Sequence, residues 1–147
     1  MGILDSMDIG ASALTAQGLR LDTHAKNMAN VDTPNYVRKI PVLNSKNESS
    51  FSGVMGDMQN GVFASGSTAY LKGGVNFTGL AEDPTLGEKI YKPGHPDADK
   101  NGYIRASNVN PMIEMADAML AQRAYEANLA LVNITKSMAL KAVEIGK

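Results

Sequence analysis

The chain has 147 residues, 14 Lys and Arg against 15 Asp and Glu for a formal charge of −1, with 44% hydrophobic and only 5% aromatic residues. That balance leaves no electrostatic footprint for nucleic acid or an anionic membrane. The absence of cysteine excludes disulfides, thiol catalysis and thiolate zinc sites, and the two histidines, His24 and His95, would need carboxylates to complete any metal site.

The N-terminal stretch, Ile3 to about Asn30, predicts a helix. One row of a seven-residue repeat is Met7, Leu14, Leu21 and Met28; a second is Leu4, Ala11, Gly18 and Ala25. Together they give the alternating three and four spacing of a coiled-coil seam with no polar member. The small second row would let a partner helix come close. Asn30, Asp32, Thr33 and Pro34 stop the helix. Asp5 and Asp8 interrupt what would be the apolar stretch of a secretory signal, and no basic residue precedes it, so the expectation is that no signal peptide is cleaved. The longest apolar runs are about four residues, against the roughly 20 of a spanning helix.

The middle, residues 37–106, holds most of the glycine, proline and aromatic residues. Val37–Leu43, Val62–Ala64, Tyr70–Lys72, Val75–Thr78, Lys89–Lys92 and Tyr103–Arg105 are strand candidates between turn residues, with Ser45–Ser52 a polar loop. Runs this short also fit an extended segment. Asp97, Asp99 and Asn101, followed by Gly102 and Ile104, match the first half of an EF-hand loop. Position 12 is Asn108 instead of Glu, and Pro93, Gly94 and Pro96 forbid the preceding helix, so the stretch is read as a turn. Gly73-Gly74 lacks the lysine and helix of a phosphate loop, and no Ser, His and Asp spacing resembles a nucleophile elbow. No catalytic residue, cofactor or small-molecule substrate is expected.

The C-terminal stretch is the stronger helix. Asn110 is a good N-cap, Pro111 suits the first helical position, and Glu114 and Asp117 complement the positive helix start. A heptad runs through Ile113, Asp117, Leu120, Ala124, Ala127, Leu131, Ile134, Met138, Lys141 and Ile145, and a second stripe through Tyr125, Leu129, Val132, Ala139 and Val143. The fold class expected is α+β, mainly α. Residues 1–36 and 107–147 form two terminal coiled-coil segments whose helices pair, around a β-rich middle of residues 37–106. An isolated pair buries one stripe of each helix, so the leftover apolar surface points to assembly with other subunits.

Ser12-Ala13-Leu14-Thr15-Ala16-Gln17, Arg20-Leu21, Asn27-Met28-Ala29-Asn30 and Thr33-Pro34-Asn35-Tyr36 resemble the N-terminal signature of bacterial flagellar axial proteins, the rod, hook and hook-associated group. The stretch from Tyr91 to Tyr103, with Pro93, Gly94 and Gly102, then Ser107 to Asn110, Arg123 to Asn128 with Tyr125, and Lys136 to Lys141, is similar within that group to a basal-body rod component. Residues 44–80 fall outside any such pattern. Where the family carries Gly, this chain has Asn35, which tolerates the left-handed conformation.

The resemblance implies a structural role in the proximal rod, the drive shaft that crosses the periplasm, with no metal. It implies export, unfolded, by the flagellar type III apparatus. It further implies an inner coiled-coil layer built from the terminal helices, stacking helically with copies of itself and with other rod proteins (FlgB-, FlgF-, FlgG- and FliE-like). Another rod or hook component, or a small calcium-binding module, is the alternative.

Overall fold

The computed structural model of the chain describes residues 2–46 and 73–146, and the side chains within that range other than those of residues 3 and 4. Two long helices, α1 (Ile3–Ala29) and α2 (Pro111–Ile145), frame two antiparallel strand pairs. The first pair is β1 (Lys39–Ser45) with β2 (Val75–Glu82); the second is β3 (Lys89–Tyr91) with β4 (Tyr103–Arg105). The fold is mainly helical with a small β part. No helix among the described residues is long and apolar enough to cross a membrane.

The helix ends form where the local chemistry directs. The Asn110 side chain accepts the Met112 N–H at 3.0 Å, and Pro111 occupies the first helical turn without an N–H to satisfy. At the other boundary the Asn30 side chain donates to the Lys26 carbonyl at 2.8 Å and accepts from the Thr33 hydroxyl at 3.2 Å. Tight backbone turns carry the chain through Tyr36. Asn35 has φ +61°, the left-handed region expected of it, and its N–H donates to the Arg105 carbonyl at 2.9 Å, tying the turn to β4.

The helices pack antiparallel. Gly10 lies against Val132, where a Cβ would sit 2.5 Å from Val132 Cγ2, while His24 meets Glu114 at the opposite end. Between these points the contact runs over small side chains: Ala16 is 2% exposed and Ala121 fully buried. Close approach of backbones is what small residues permit, at the expense of apolar area.

The face used is not the one the heptads predict. Ile113, Leu120, Ala127, Leu131, Ile134, Met138 and Ile145 are exposed, with Ala124 alone of that apolar row half-buried. The α2 surface turned inward is instead Glu114, Ala118, Ala121, Ala124, Asn128, Val132, Thr135 and Ala139. On α1, Met7, Leu14, Gly18, Leu21 and Met28 are half-buried, Ala11 and Ala25 are exposed, and the fully buried positions are Gly10, Ala16, Thr23, His24 and Asn27. On α2, then, the large side chains that set the periodicity are mostly not the ones turned toward α1.

The β1–β2 pair docks on α1 as well. The Val75 N–H donates to the Ser12 hydroxyl oxygen at 3.1 Å, and Gly73 lies against Ile9. Register runs from Lys39 opposite Glu82 to Ser45 opposite Val75, with a bulge after Val42. Gly79, at φ +152°, sits at that bulge and lets β2 continue to Glu82, beyond the Thr78 end expected from sequence. β1 starts two residues later than expected and includes Ser45; β3 and β4 fall where expected. The strand candidates Val62–Ala64 and Tyr70–Lys72, and the loop beyond Lys46, lie outside the described residues.

Candidate functional site

Glu114, in the first turns of α2, has no solvent exposure and is the common acceptor for three donors from the N-terminal part of the chain. Its Oε2 accepts from His24 Nδ1 at 2.8 Å and from Asn27 Nδ2 at 2.9 Å; its Oε1 accepts from Arg38 Nε at 2.5 Å. Arg38 also faces Asp83 and Asp117, each at 3.6 Å. Burial pushes the Glu114 carboxyl up, but the hydrogen bonds from Asn27, His24 and Arg38 and the Arg38 charge outweigh it and hold it below the usual range. Being ionised, the carboxylate only accepts, so His24 Nδ1 carries a proton. His24 Nε2 is buried with no protein partner. The bond to Glu114 also raises the Arg38 guanidinium, against the opposing effect of burial.

Asn27 uses every hydrogen-bonding position it has. Nδ2 donates to Glu114 and to the Lys39 carbonyl at 2.8 Å, while Oδ1 accepts the Lys39 N–H at 3.0 Å and the Tyr36 hydroxyl at 3.1 Å. The side-chain amide thus pairs with β1 as a strand backbone would, which neither Asp nor Gln could copy at that reach. Asn108 does similar work from the other end of the chain. Its Oδ1 accepts the Arg38 N–H at 2.6 Å and its Nδ2 donates to the Thr85 carbonyl at 2.8 Å. With Glu114, Asn27 and His24 buried and their bonds, apart from His24 Nε2, made to one another and to the backbone, the chemistry of the cluster is that of a fastener.

The Asp97–Gly102 loop closes the β3–β4 hairpin. Asp99 Oδ1 accepts the Asn101 N–H at 2.8 Å and the Tyr103 N–H at 2.9 Å, and these bonds, the Tyr103 one foremost, hold its carboxyl below the usual range. Gly102 takes φ +79°, and the Tyr91 and Tyr103 rings meet edge to face at 5.1 Å. The carboxylate that would be the central ligand of a calcium loop thus serves the loop's own backbone. Among the described residues no group of three His, Asp or Glu is placed to hold a metal ion.

Of the positions singled out from sequence, the structure brings Asn27 and Tyr36 into the Glu114 cluster. Asn30, Thr33 and Pro34 shape the turn that delivers Arg38. Pro93, Gly94, Gly102 and Tyr103 shape the hairpin, and Asn110 caps α2. Tyr125 and Asn128 stand apart on α2, the first 37% exposed and the second half-buried. The Leu4 side chain lies outside the described ones. Glu114, His24, Arg38 and Asn108 were not identified as a unit, since no local spacing links residues so far apart; Glu114 read only as a partner of the helix dipole.

Outside the cluster, the dominant surface feature is the open face of α2. Ile113, Leu120, Leu131, Ile134 and Met138 are between 50% and 62% exposed. Met115, Leu129, Leu140 and Val143 form a second exposed set. At 3.6 residues per turn the two sets fall on either side of the line through Glu114, Ala121, Asn128 and Val132 that faces α1.

Residues 7–36 match the family described as flagella basal body rod protein, and residues 100–145 match the flagellar basal body rod FlgEFG protein C-terminal family. Over its whole length the chain is 38% identical to the flagellar basal-body rod protein FlgC of Bacillus subtilis, 34% to that of Salmonella typhimurium and 33% to that of Escherichia coli O6:H1, in each case covering the whole relative.

Proposed function

The chain belongs to the FlgC family of flagellar basal-body rod proteins and is a structural component of the rod; from that premise we propose that it polymerises through the open flanks of α2. The observation that carries the proposal is the row Ile113, Leu120, Leu131, Ile134 and Met138, half or more exposed along a helix whose other side is already paired. An apolar row of that length, interrupted at Asp117 alone between Ile113 and Met138, is a partner surface. With a second row across the α1 contact, each subunit can touch two neighbours at once. Repeating one heterologous contact generates an open helical tube.

On this reading the terminal segments, residues 1–36 and 107–147, form the inner layer of the rod and residues 37–106 face outward. The neighbours are copies of this chain and the other rod proteins, FlgB-, FlgF-, FlgG- and FliE-like. The subunit reaches its place across the periplasm through the flagellar export apparatus, and it carries torque without catalysing a reaction. The test is incorporation. Ile134→Asp and Leu140→Asp, one on each row, should be secreted normally and be missing from purified basal bodies. Wild-type incorporation of both variants would remove the rows from the assembly.

A further inference from the structure

The chain has no cysteine and no tryptophan but nine methionines, so thioether sulfur is its most readily oxidised group. The described methionines divide by helix. On α1, Met7 and Met28 are half-buried. On α2, Met112, Met115, Met119 and Met138 are 81%, 54%, 52% and 62% exposed. Two of these sit in the open apolar rows. Met138 lies one turn beyond Ile134 in the first row, and Met115 lies with Leu129 and Leu140 in the row across the α1 contact. Each row therefore includes one methionine. An unbranched thioether adapts its shape to an uneven apolar partner, which suits a surface that meets more than one kind of neighbour.

We infer that Met115 and Met138 are oxidation sites through which a peroxide controls assembly: their sulfoxides keep a subunit out of the rod. Hydrogen peroxide transfers an oxygen atom to the sulfur. The S–O bond forms, the O–O bond breaks, the sulfur gives up an electron pair and the peroxide leaves as water. The product is a polar, chiral side chain within an apolar row, and burying its oxygen against a neighbour without a donor is unfavourable. The free subunit keeps both side chains in water, so its own fold is not opposed. Once a subunit is incorporated, its neighbours cover both sulfurs, and the reaction is confined to subunits still awaiting assembly. The inference rests on the reading of the α2 flanks as the assembly surface.

Cells that build flagella in dilute hydrogen peroxide supply two pools of the full-length chain, secreted subunits and purified basal bodies, for comparison by peptide mass spectrometry. Sulfoxide at Met115 and Met138 should be at least about tenfold more abundant in the secreted pool. Met115→Gln and Met138→Gln place a permanent polar group where the sulfoxide oxygen would lie. Each should be secreted normally and enter basal bodies at least about tenfold less per secreted subunit than wild type. Met115→Leu with Met138→Leu keeps volume and helix propensity but has no oxidisable sulfur at either position. It should assemble as wild type does, and peroxide should not lower its incorporation per secreted subunit. Equal sulfoxide in the two pools overturns the inference, as do glutamine variants incorporated like wild type or a leucine pair that still loses incorporation in peroxide. Ile134→Asp and Leu140→Asp then locate the failure. Their exclusion keeps the assembly surface and removes only its control by oxidation, whereas their incorporation removes both.

Discussion

His24 and Glu114 are 90 residues apart in the chain, and their side chains meet at 2.8 Å, one 3% exposed and the other not at all. A buried carboxylate with three donors is stable only while it is charged and every donor is in place. Glu114→Ala removes the acceptor from His24, Asn27 and Arg38 together. It should destabilise the fold by roughly 3–5 kcal/mol, the range for breaking a buried pair, read as a shift in the urea midpoint at unchanged slope.

The same group gives the fold an acid-sensitive term. The Glu114 carboxyl is held below its ordinary value in the folded chain. Its contribution is therefore complete above the unfolded value of about 4.3 and is lost as pH falls through the lower, folded value. Unfolding free energy measured from pH 6 down to pH 3 should fall steeply below about pH 4.3. Glu114→Gln should reduce that slope, leaving the shallower dependence due to the half-buried Asp83 and the exposed Asp99, whose carboxyls are also held low.

Two backbone positions give opposite expectations. Asn35 stands at φ +61°, so Asn35→Gly should be neutral or slightly stabilising, while Asn35→Ala should cost about 1 kcal/mol. Gly87 has a steric reason instead: a Cβ there would lie 1.8 Å from the Ala106 carbonyl oxygen. Gly87→Ala forces apart the strand that carries the bond from the Ala106 N–H to the Glu88 carbonyl, and should cost roughly 1–3 kcal/mol in denaturant unfolding.

Sequence logic located the elements better than their faces, and the physical reason is visible at Leu131 and Ala121. Periodicity weights large side chains, and in a chain folding alone these would be buried. Here Leu131 is half exposed and Ala121 fully buried, because the intramolecular contact brings the helices close over small residues and leaves the large ones of α2 outside it. Asn110-Pro111 and Asn30 to Pro34 announced the helix ends because capping is local chemistry. The bulge at Gly79 was not legible, since glycine reads as a strand breaker until the register is known. The Glu114 cluster was hidden for the reverse reason. Asn27 and Tyr36 were noted through the family signature, but nothing local connects them to a glutamate 87 residues beyond Asn27.

The Asp97–Gly102 loop should not take calcium at physiological levels. Asp99 Oδ1 is engaged by the Asn101 and Tyr103 N–H groups, and a metal would have to displace those bonds. Calorimetric titration should give no binding tighter than about millimolar. Asp99→Ala should instead loosen the hairpin through the lost bonds to the Asn101 and Tyr103 N–H groups, read as faster amide exchange there. Micromolar affinity lost in Asp97→Ala would reverse this assignment.

The sharpest separation of folding from assembly lies at Leu21 and Leu131. Leu131 is 50% exposed on α2, so Leu131→Asp should cost the monomer only about 1–2 kcal/mol, from helix propensity and the half of the side chain that is covered. In a rod the same aspartate would be buried against a neighbour without a partner, at a few kcal/mol for each contact. The penalty recurs in every copy, so incorporation and motility should be abolished while the monomer stays folded. Leu21 is half-buried within the subunit, so Leu21→Asp should abolish incorporation too, but with a measurable loss of monomer stability. Lys46→Ala, at an exposed position beyond β1, should stay within about 0.5 kcal/mol of wild type and assemble normally. Each variant's amount in purified basal bodies must be divided by the amount secreted, because a block in export would imitate a block in assembly. A Leu131→Asp protein that is exported and incorporated like wild type would show that the open row of α2 faces no neighbour.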